Sequence, residues 1–312
     1  MHPVFICRGR AVLTFLPGPA RGFFGILALV VNTLFWAVPV YIVSLFKLAI
    51  PLKRARTAFD VILNRLAYTW MYCNNLFIAV LKKAEYEIHG LEGLNMNEWY
   101  LVMANHQSWV DIIVLQKIFH NRIPFLKYFL KKELFWIPIL GLAWWALDYP
   151  FMKRYSGEFL EKNPHLKGKD IEMTRRSCEK FKDKPASIMN FVEGTRFTKE
   201  KHRRQNSPFK HLLKPRSGGI AFVLSAMGDY IRKVIDVAIV YPDGAEGIWG
   251  FLCSCRTRIH VHVDVFPIDP WLRGDYFEDE AFKGRFQGWL NGLWRKKNRR
   301  IEEILSKDTR PK

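Results

Sequence analysis

The sequence predicts an α/β domain with a largely parallel sheet, preceded by a helical membrane anchor, and three observations carry that prediction. Residues 23–46 read FFGILALVVNTLFWAVPVYIVSLF without one charge. The pair Lys82-Lys83 then marks a change of character. Beyond it, short β-branched or aromatic runs alternate with stretches of helical periodicity, the pattern of an α/β sheet.

The 24 uncharged positions of 23–46 exceed the roughly 20 that cross a bilayer core. They are also too long for the apolar core of a secretory signal, and no A-x-A-like cleavage site follows them. Pro39 lies inside the segment and Pro51 closes it, so a kink is expected near Val38, where proline removes a backbone bond. Residues 66–81 are again uncharged, and Phe59, Ile62, Leu63, Leu66, Trp70 and Phe77 recur at helical spacing. Arg8, Arg10 and Arg21 flank the first segment on one side and Lys47, Lys53, Arg54 and Arg56 on the other. Such near-symmetrical basic flanks suit a hairpin dipped into one leaflet as well as a span. Residues 1–83 are therefore read as a membrane anchor with apolar helices at about 23–50 and 58–81, and residues 84–312 as a separate α/β domain with a basic C-terminal helix.

Within the second part, strands are expected over 86–89, 100–104, 187–192, 236–241 and 258–266, with helices over 108–119, 169–181, 218–228 and 278–305. A third uncharged run, 134–147, is too short to span and carries Trp136, Trp144 and Trp145. It is expected to line an apolar pocket, to touch the membrane interface or to pack in the core. In open α/β sheets, sites gather at the carboxyl ends of strands.

Composition narrows the class of partner. A net charge of +19 on a chain that is 49% hydrophobic and 15% aromatic excludes a disordered basic tail, and 5 cysteines at irregular spacing are no disulfide framework. An anionic partner is implied, either nucleic acid or a membrane surface. Cys253, Cys255, His260 and His262 contain soft ligands, but C-x-C-x4-H-x-H is not a usual zinc spacing and HVHVDVF is a period-2 strand, so no metal site is expected.

Two short stretches carry chemistry. The run YLVMA leads into Asn105-His106-Gln107-Ser108-Trp109-Val110-Asp111. Ser108 suits a helix N-cap, and Asp111 three residues on can reach back over the helix start. A carboxylate so placed can accept the proton of one imidazole nitrogen of His106 and leave the other to act as a general base on a hydroxyl. The plainer reading is a capping box beside a polar loop histidine. The second stretch is Phe191-Val192-Glu193-Gly194-Thr195-Arg196, where glycine permits a tight turn and a guanidinium suits a phosphate. Its plainer reading is a strand-end loop with an internal Glu–Arg pair.

Together, NHxxxxD after one strand and FxEGTR after another resemble the glycerolipid acyltransferase family, the PlsC-type enzymes that acylate lysophosphatidate. Lys131-Lys132-Glu133-Leu134-Phe135-Trp136-Ile137-Pro138 with Gly141 is similar to the family's intervening block, Lys153-Arg154 to its closing basic pair, and Ala238-Ile239-Val240-Tyr241-Pro242 to its apolar strand ending in proline. The VEGTRF wording and the Leu213-Lys214-Pro215-Arg216 stretch are most similar to the lysocardiolipin-acyltransferase-like branch. Val192 stands where many members have proline, and the loop 197–216, rich in Lys and Arg, is longer than in the shortest members.

The resemblance, which covers most of 85–245, implies a glycerolipid-acyltransferase-like mixed sheet flanked by helices. It also implies transfer of a fatty acyl group from acyl-CoA or acyl carrier protein to the hydroxyl of a lysophospholipid, with 1-acylglycerol-3-phosphate first and another acceptor such as lysophosphatidylglycerol as the alternative. His106 would be the general base and Asp111 its orienting partner. Glu193, Gly194, Thr195 and Arg196, with Lys131 and Lys132, would hold the acceptor, Arg196 at its phosphate and Glu193 either by direct contact or by supporting the loop. No cofactor is implied beyond the thioester co-substrate. No G-x-S-x-G elbow occurs, and neither Cys178 nor Cys255 has a nucleophile motif around it, so direct attack is expected. Membrane lipid is the expected partner, and the implied location is the bacterial inner (cytoplasmic) membrane with the catalytic domain facing the cytoplasm. A membrane-associated nucleic-acid binder is the rival suggested by Arg295-Lys296-Lys297-Asn298-Arg299-Arg300, but no nucleic-acid recognition motif accompanies it. A membrane protein that keeps the fold without catalysis is the other rival.

Overall fold

The computed structural model describes residues 5–8, 12–152, 181–182, 184–228 and 230–308. In chain order these contain strand β1 (Phe5–Arg8), helices α1 (Gly18–Ala49) and α2 (Lys53–Leu81), and strands β2 (Lys83–His89) and β3 (Tyr100–Ala104). Helix α3 (Val110–Phe119), strands β4 (Leu126–Tyr128) and β5 (Leu130–Lys131), a 3₁₀ turn (Lys132–Trp136), helix α4 (Leu140–Ala146) and strand β6 (Phe151–Met152) follow. The remainder holds β7 (Ser187–Phe191), α5 (Lys199–Gln205), α6 (Ser217–Met227), β8 (Lys233–Val240), α7 (Ile248–Cys253), β9 (Arg256–Pro267) and α8 (Glu280–Asp308). The expected helix over 169–181, except Phe181, and the pair Lys153-Arg154 lie outside the described residues, as does Cys178.

Seven strands form one sheet in the order β1-β2-β9-β8-β3-β7-β4. Four pairings, β2/β9, β3/β8, β3/β7 and β4/β7, are parallel, while β1/β2 and β8/β9 are antiparallel. The sheet is therefore mixed, with a continuous parallel part from β8 through β3 and β7 to β4 and a separate parallel pair, β2/β9. All five residues of β3 are buried, and their alternation divides them between two cores. Leu101 and Met103 join Ile188, Val234 and the inner face of α6 and α8, where Phe282, Phe286, Leu290, Trp294 and Ile301 recur at helical spacing. Tyr100, Val102 and Ala104 face the other way, onto Val110, Val114, Leu115 and Ile118 of α3 and Phe251 and Leu252 of α7.

Helix α1 has a different surface. It is the one helix among the described residues long and apolar enough to cross a membrane, and only 17% of its most apolar window is buried. Its buried positions are Arg21, Gly22, Gly25, Asn32, Ala37, Val40 and Ser44, mostly small apart from Arg21, while Phe23, Phe35, Leu45 and Phe46 are exposed. A Cβ on Gly22 would lie 2.5 Å from Cys253 Sγ and one on Gly25 3.1 Å from Leu252, so these glycines let α1 approach α7 closely. Asn32 Nδ2 donates to Asn74 Oδ1 at 2.8 Å and ties α1 to α2. Pro39 does not end the helix, which runs on to Ala49. The two anchor helices start earlier than expected, at Gly18 and Lys53, because charged ends can extend a helix beyond its apolar run.

The uncharged run 134–147 forms the end of the 3₁₀ turn and α4. Ala146 packs on Val40 and Leu63, whereas Trp136, Leu142 and Trp145 are exposed. None of its residues lines the cavity beside His106. The run thus lies beside the anchor helices, with part of its apolar surface exposed.

Candidate active site

The carboxyl ends of β3 and β7 lie side by side, and the two stretches singled out in the sequence meet there. The amide of Asn105 fixes the end of β3, with Nδ2 donating to Ile239 O at 2.9 Å and Oδ1 accepting from Ile239 N at 2.8 Å. His106 follows and is buried. Its ring stacks on Phe191 with centroids 3.8 Å apart. Its Nδ1 lies 2.9 Å from Asp111 Oδ2, which leaves Nε2 for the cavity that His106 lines.

Asp111 has no exposed surface. Its Oδ2 also accepts from Gln107 N at 2.6 Å and Ser108 N at 2.9 Å, and its Oδ1 accepts from the Tyr241 hydroxyl at 2.6 Å. Burial, then the neighbouring carboxylate, pushes the Tyr241 phenol well above its ordinary value, so it stays protonated and donates. The capping-box reading and the orienting reading thus hold at once: Asp111 covers the helix start and holds the imidazole. Helix α3 begins at Val110 rather than Ser108, and Val110 N donates to Ser108 Oγ at 3.1 Å.

Across the cavity, Gly194 takes a φ of +68°, a left-handed backbone that glycine adopts without strain. The turn it makes places Thr195 and Arg196 on the same cavity as His106, a space of 550 Å³ that Trp109, Tyr128, Asn190 and Arg216 also line. Arg196 is exposed, with its guanidinium carbon 5.0 Å from the Trp109 ring centre. Lys201 Nζ donates to Thr195 Oγ1 at 2.7 Å and Arg196 O at 3.1 Å, which holds the turn from its outer side.

Of the two places open to Glu193, contact with an acceptor or support of the loop, its geometry is that of loop support. Its side chain is wholly buried, with Oε1 accepting from His106 N at 3.2 Å and Oε2 from Leu213 N at 3.1 Å. Burial pushes its carboxyl up to about 8, against the pull of those two N–H groups. It links the two loops and does not line the cavity. Lys131 and Lys132 are exposed on β5 and the 3₁₀ turn, and neither lines the cavity. Sequence alone assigns no role to Tyr241 or Asn105; the pairing of β3 with β8 reveals what they hold.

His260 and His262 share one face of β9, where they approach Glu87 and Asp264 respectively. Among the described residues no group of three or more His, Cys, Asp or Glu side chains is arranged to hold a metal ion.

Residues 85–241, half of the chain, match the Acyltransferase family, and the protein belongs to it. The chain is 24% identical over 226 residues to the 1-acyl-sn-glycerol-3-phosphate acyltransferase epsilon of Mus musculus, an alignment covering 65% of this chain and 57% of that protein. It is 24% identical over 225 residues to the delta enzyme of Homo sapiens, covering 68% and 54%, and 22% identical over 258 residues to lysocardiolipin acyltransferase 1 of Danio rerio, covering 78% and 62%. The chain thus spans about half the length of the curated relatives it matches. The crystal structure of the 1-acyl-sn-glycerophosphate acyltransferase PlsC of Thermotoga maritima aligns with 94% of this chain and 99% of its own, at 18% identity and a TM-score of 0.48.

Proposed function

We propose that this protein is a membrane-associated O-acyltransferase that moves a fatty acyl group from a thioester, acyl-CoA or acyl carrier protein, to the free hydroxyl of a lysophospholipid. The preferred acceptor is 1-acylglycerol-3-phosphate, giving phosphatidate. The observation that carries the reading is the His106–Asp111 pair at 2.9 Å, facing a cavity that Arg196 shares.

In the transfer, His106 Nε2 takes the proton of the acceptor hydroxyl as its oxygen bonds to the thioester carbonyl carbon. The tetrahedral intermediate then collapses, the C–S bond breaks, and the imidazolium returns its proton to the leaving thiolate. Asp111 stabilises that imidazolium through Nδ1. Both substrates and one imidazole balance the reaction, with no further cofactor and no acyl-enzyme. Arg196 holds the acceptor phosphate, Gly194 and Thr195 shape the turn that presents it, and Glu193 positions the His106 loop. Lys131 and Lys132, exposed outside the cavity, strengthen the field that draws an anionic lipid.

The exposed apolar face of α1 supports an anchor, since extracting a lipid acceptor would cost about 0.8 kcal/mol per methylene exposed. Free Cys73, Cys253 and Cys255 fit a reducing side, and the site proposed is the bacterial inner membrane with the catalytic domain toward the cytoplasm. The relative that acylates lysocardiolipin makes other lysophospholipids, lysophosphatidylglycerol among them, the second reading of the acceptor.

The test is to incubate the purified protein with labelled acyl-CoA and a panel of lysophospholipids and to identify the product. His106→Ala is expected to lower transfer by about a hundredfold or more while membrane association persists. Wild-type turnover in that variant defeats the mechanism. Arg196→Ala is expected to raise the acceptor KM about tenfold; an effect confined to the thioester overturns its role.

A further inference from the structure

We propose that Trp294, on the C-terminal helix α8, is a positioning residue for His106 and acts on it through Leu213 and Glu193. The proposal rests on the acyl-transfer reading, in which His106 is the base, and adds to it a support from the far end of the chain.

The contacts form an unbroken series. Trp294 has no exposed surface, and its Nε1 donates to Leu213 O at 3.1 Å. Leu213 N donates to Glu193 Oε2 at 3.1 Å, and Glu193 Oε1 accepts from His106 N at 3.2 Å. Both backbone polar groups of Leu213 are thus held by side chains, the amide by Glu193 and the carbonyl by Trp294. Buried indoles usually find an acceptor. What sets this one apart is where its acceptor lies, on the residue that meets the carboxyl beneath His106.

The segment between α5 and α6 depends on such contacts. Residues 206–216 lie in no helix or strand, so no backbone ladder fixes them. His211 N donates to Asn298 Oδ1 at 3.0 Å, one turn along α8 from Trp294. Ser207 Oγ donates to Leu212 O at 2.7 Å, and Arg216 N to Val192 O at 2.8 Å. Two side chains of one helix therefore hold the stretch 211–213 from the side away from Glu193.

Helix α8 is itself fixed to the sheet that delivers His106. Phe282, Phe286, Leu290 and Ile301 bury its inner face beside Trp294. Lys297 pairs with Asp236 of β8 at 2.6 Å, and its ammonium lies 4.3 Å from the Trp294 ring centre. Strand β8 pairs with β3, which ends two residues before His106. Sheet and loop thus share one frame, and a reacting group must be held to within about 0.5 Å of its productive place. Helix α8 lies outside residues 85–241, so this support comes from beyond the matched family segment.

The test uses the full chain in detergent micelles, with labelled palmitoyl-CoA and lysophosphatidate. Trp294→Phe keeps a buried ring and removes the donor to Leu213 O. Its kcat should fall about tenfold, with both KM values unmoved. Combined with Glu193→Gln, the loss should stay near about tenfold and not multiply to about a hundredfold, because the two residues act in one series. Ile301→Ala removes bulk from the same core two turns further along α8 and should lower the melting temperature with kcat unmoved. Asn298→Ala, at a half-buried position, should lower kcat severalfold and carries the test alone if Trp294→Phe does not fold. Amide hydrogen exchange follows the series without turnover: the His106 and Leu213 amides should exchange about tenfold faster in Trp294→Phe, severalfold faster in Asn298→Ala and at the wild-type rate in Ile301→Ala. The proposal is overturned if these two amides keep their exchange rates in the first two variants, if the losses in the double variant multiply, or if Ile301→Ala lowers kcat equally. A protein that shows the exchange pattern yet transfers nothing refutes the acyl-transfer reading alone.

Discussion

Two buried carboxylates flank His106, one from each loop, and their surroundings differ. Asp111 reaches the ring and accepts four hydrogen bonds, from His106 Nδ1, Gln107 N, Ser108 N and the Tyr241 hydroxyl. Glu193 reaches the backbone of the same histidine and accepts two, from His106 N and Leu213 N. Neither side chain is exposed. With only two donors against full desolvation, the Glu193 carboxyl is pushed up to about 8, burial being the largest cause. The same functional group therefore sits in two settings: one loop surrounds its carboxylate with donors beside the imidazole ring, and the other uses a carboxyl to join two chain segments. Under the mechanism proposed for His106, proximity to that histidine does not by itself make a residue part of the chemistry.

Substitutions that change charge or one hydrogen bond separate the two roles. The largest effect is expected from Asp111→Asn, which keeps the shape but removes the anion that stabilises the imidazolium; transfer should fall about a thousandfold with the fold retained by circular dichroism. Unchanged turnover would mean that Asp111 is only a helix cap.

Next is Glu193→Gln. Its amide nitrogen must face either His106 N or Leu213 N, leaving a buried donor unpaired at about 1–3 kcal/mol. Melting temperature and kcat should both drop, kcat by about tenfold, with the acceptor KM unmoved. A raised acceptor KM would instead return Glu193 to the phosphate. The same variant has a pH signature. Because the folded carboxyl titrates near 8, above its unfolded value, its contribution to stability is fullest below the unfolded pKa and is lost as pH rises through the folded one. Subtracting the melting curve of Glu193→Gln from that of the wild type between pH 5 and 9 should expose this falling slope. The smallest effect belongs to Tyr241→Phe, which removes one of four donors to Asp111 and should cost about 1 kcal/mol, a severalfold loss in kcat.

The outline of the fold was legible where periodicity was strong. Strand β3 occupies the expected 100–104, because a five-residue run buried on both faces has few alternatives. Strand β8 starts at Lys233 rather than 236: Asp236 reads as a boundary in sequence, but Lys297 of α8 meets it at 2.6 Å inside the core. Strands β5 and β6, two residues each, are too short to show any period, and β1 is recognised as a strand by its antiparallel pairing with β2.

What the sequence determined on its own are features set by neighbouring residues. An uncharged run long enough for a bilayer marks α1, and a five-residue spacing puts the Asp111 carboxylate within reach of His106, since one helix start holds both. The tertiary structure decided what depends on residues far apart in the chain. Tyr241, 130 positions from Asp111, completes that carboxylate's shell only because β8 lies beside β3. Glu193 turns inward because Leu213 offers it a backbone donor, and a second, basic cavity exists because α8 returns beside the start of α6. Local spacing can bring a base and its carboxylate together, but only packing between distant segments decides which polar groups face substrate and which hold the frame.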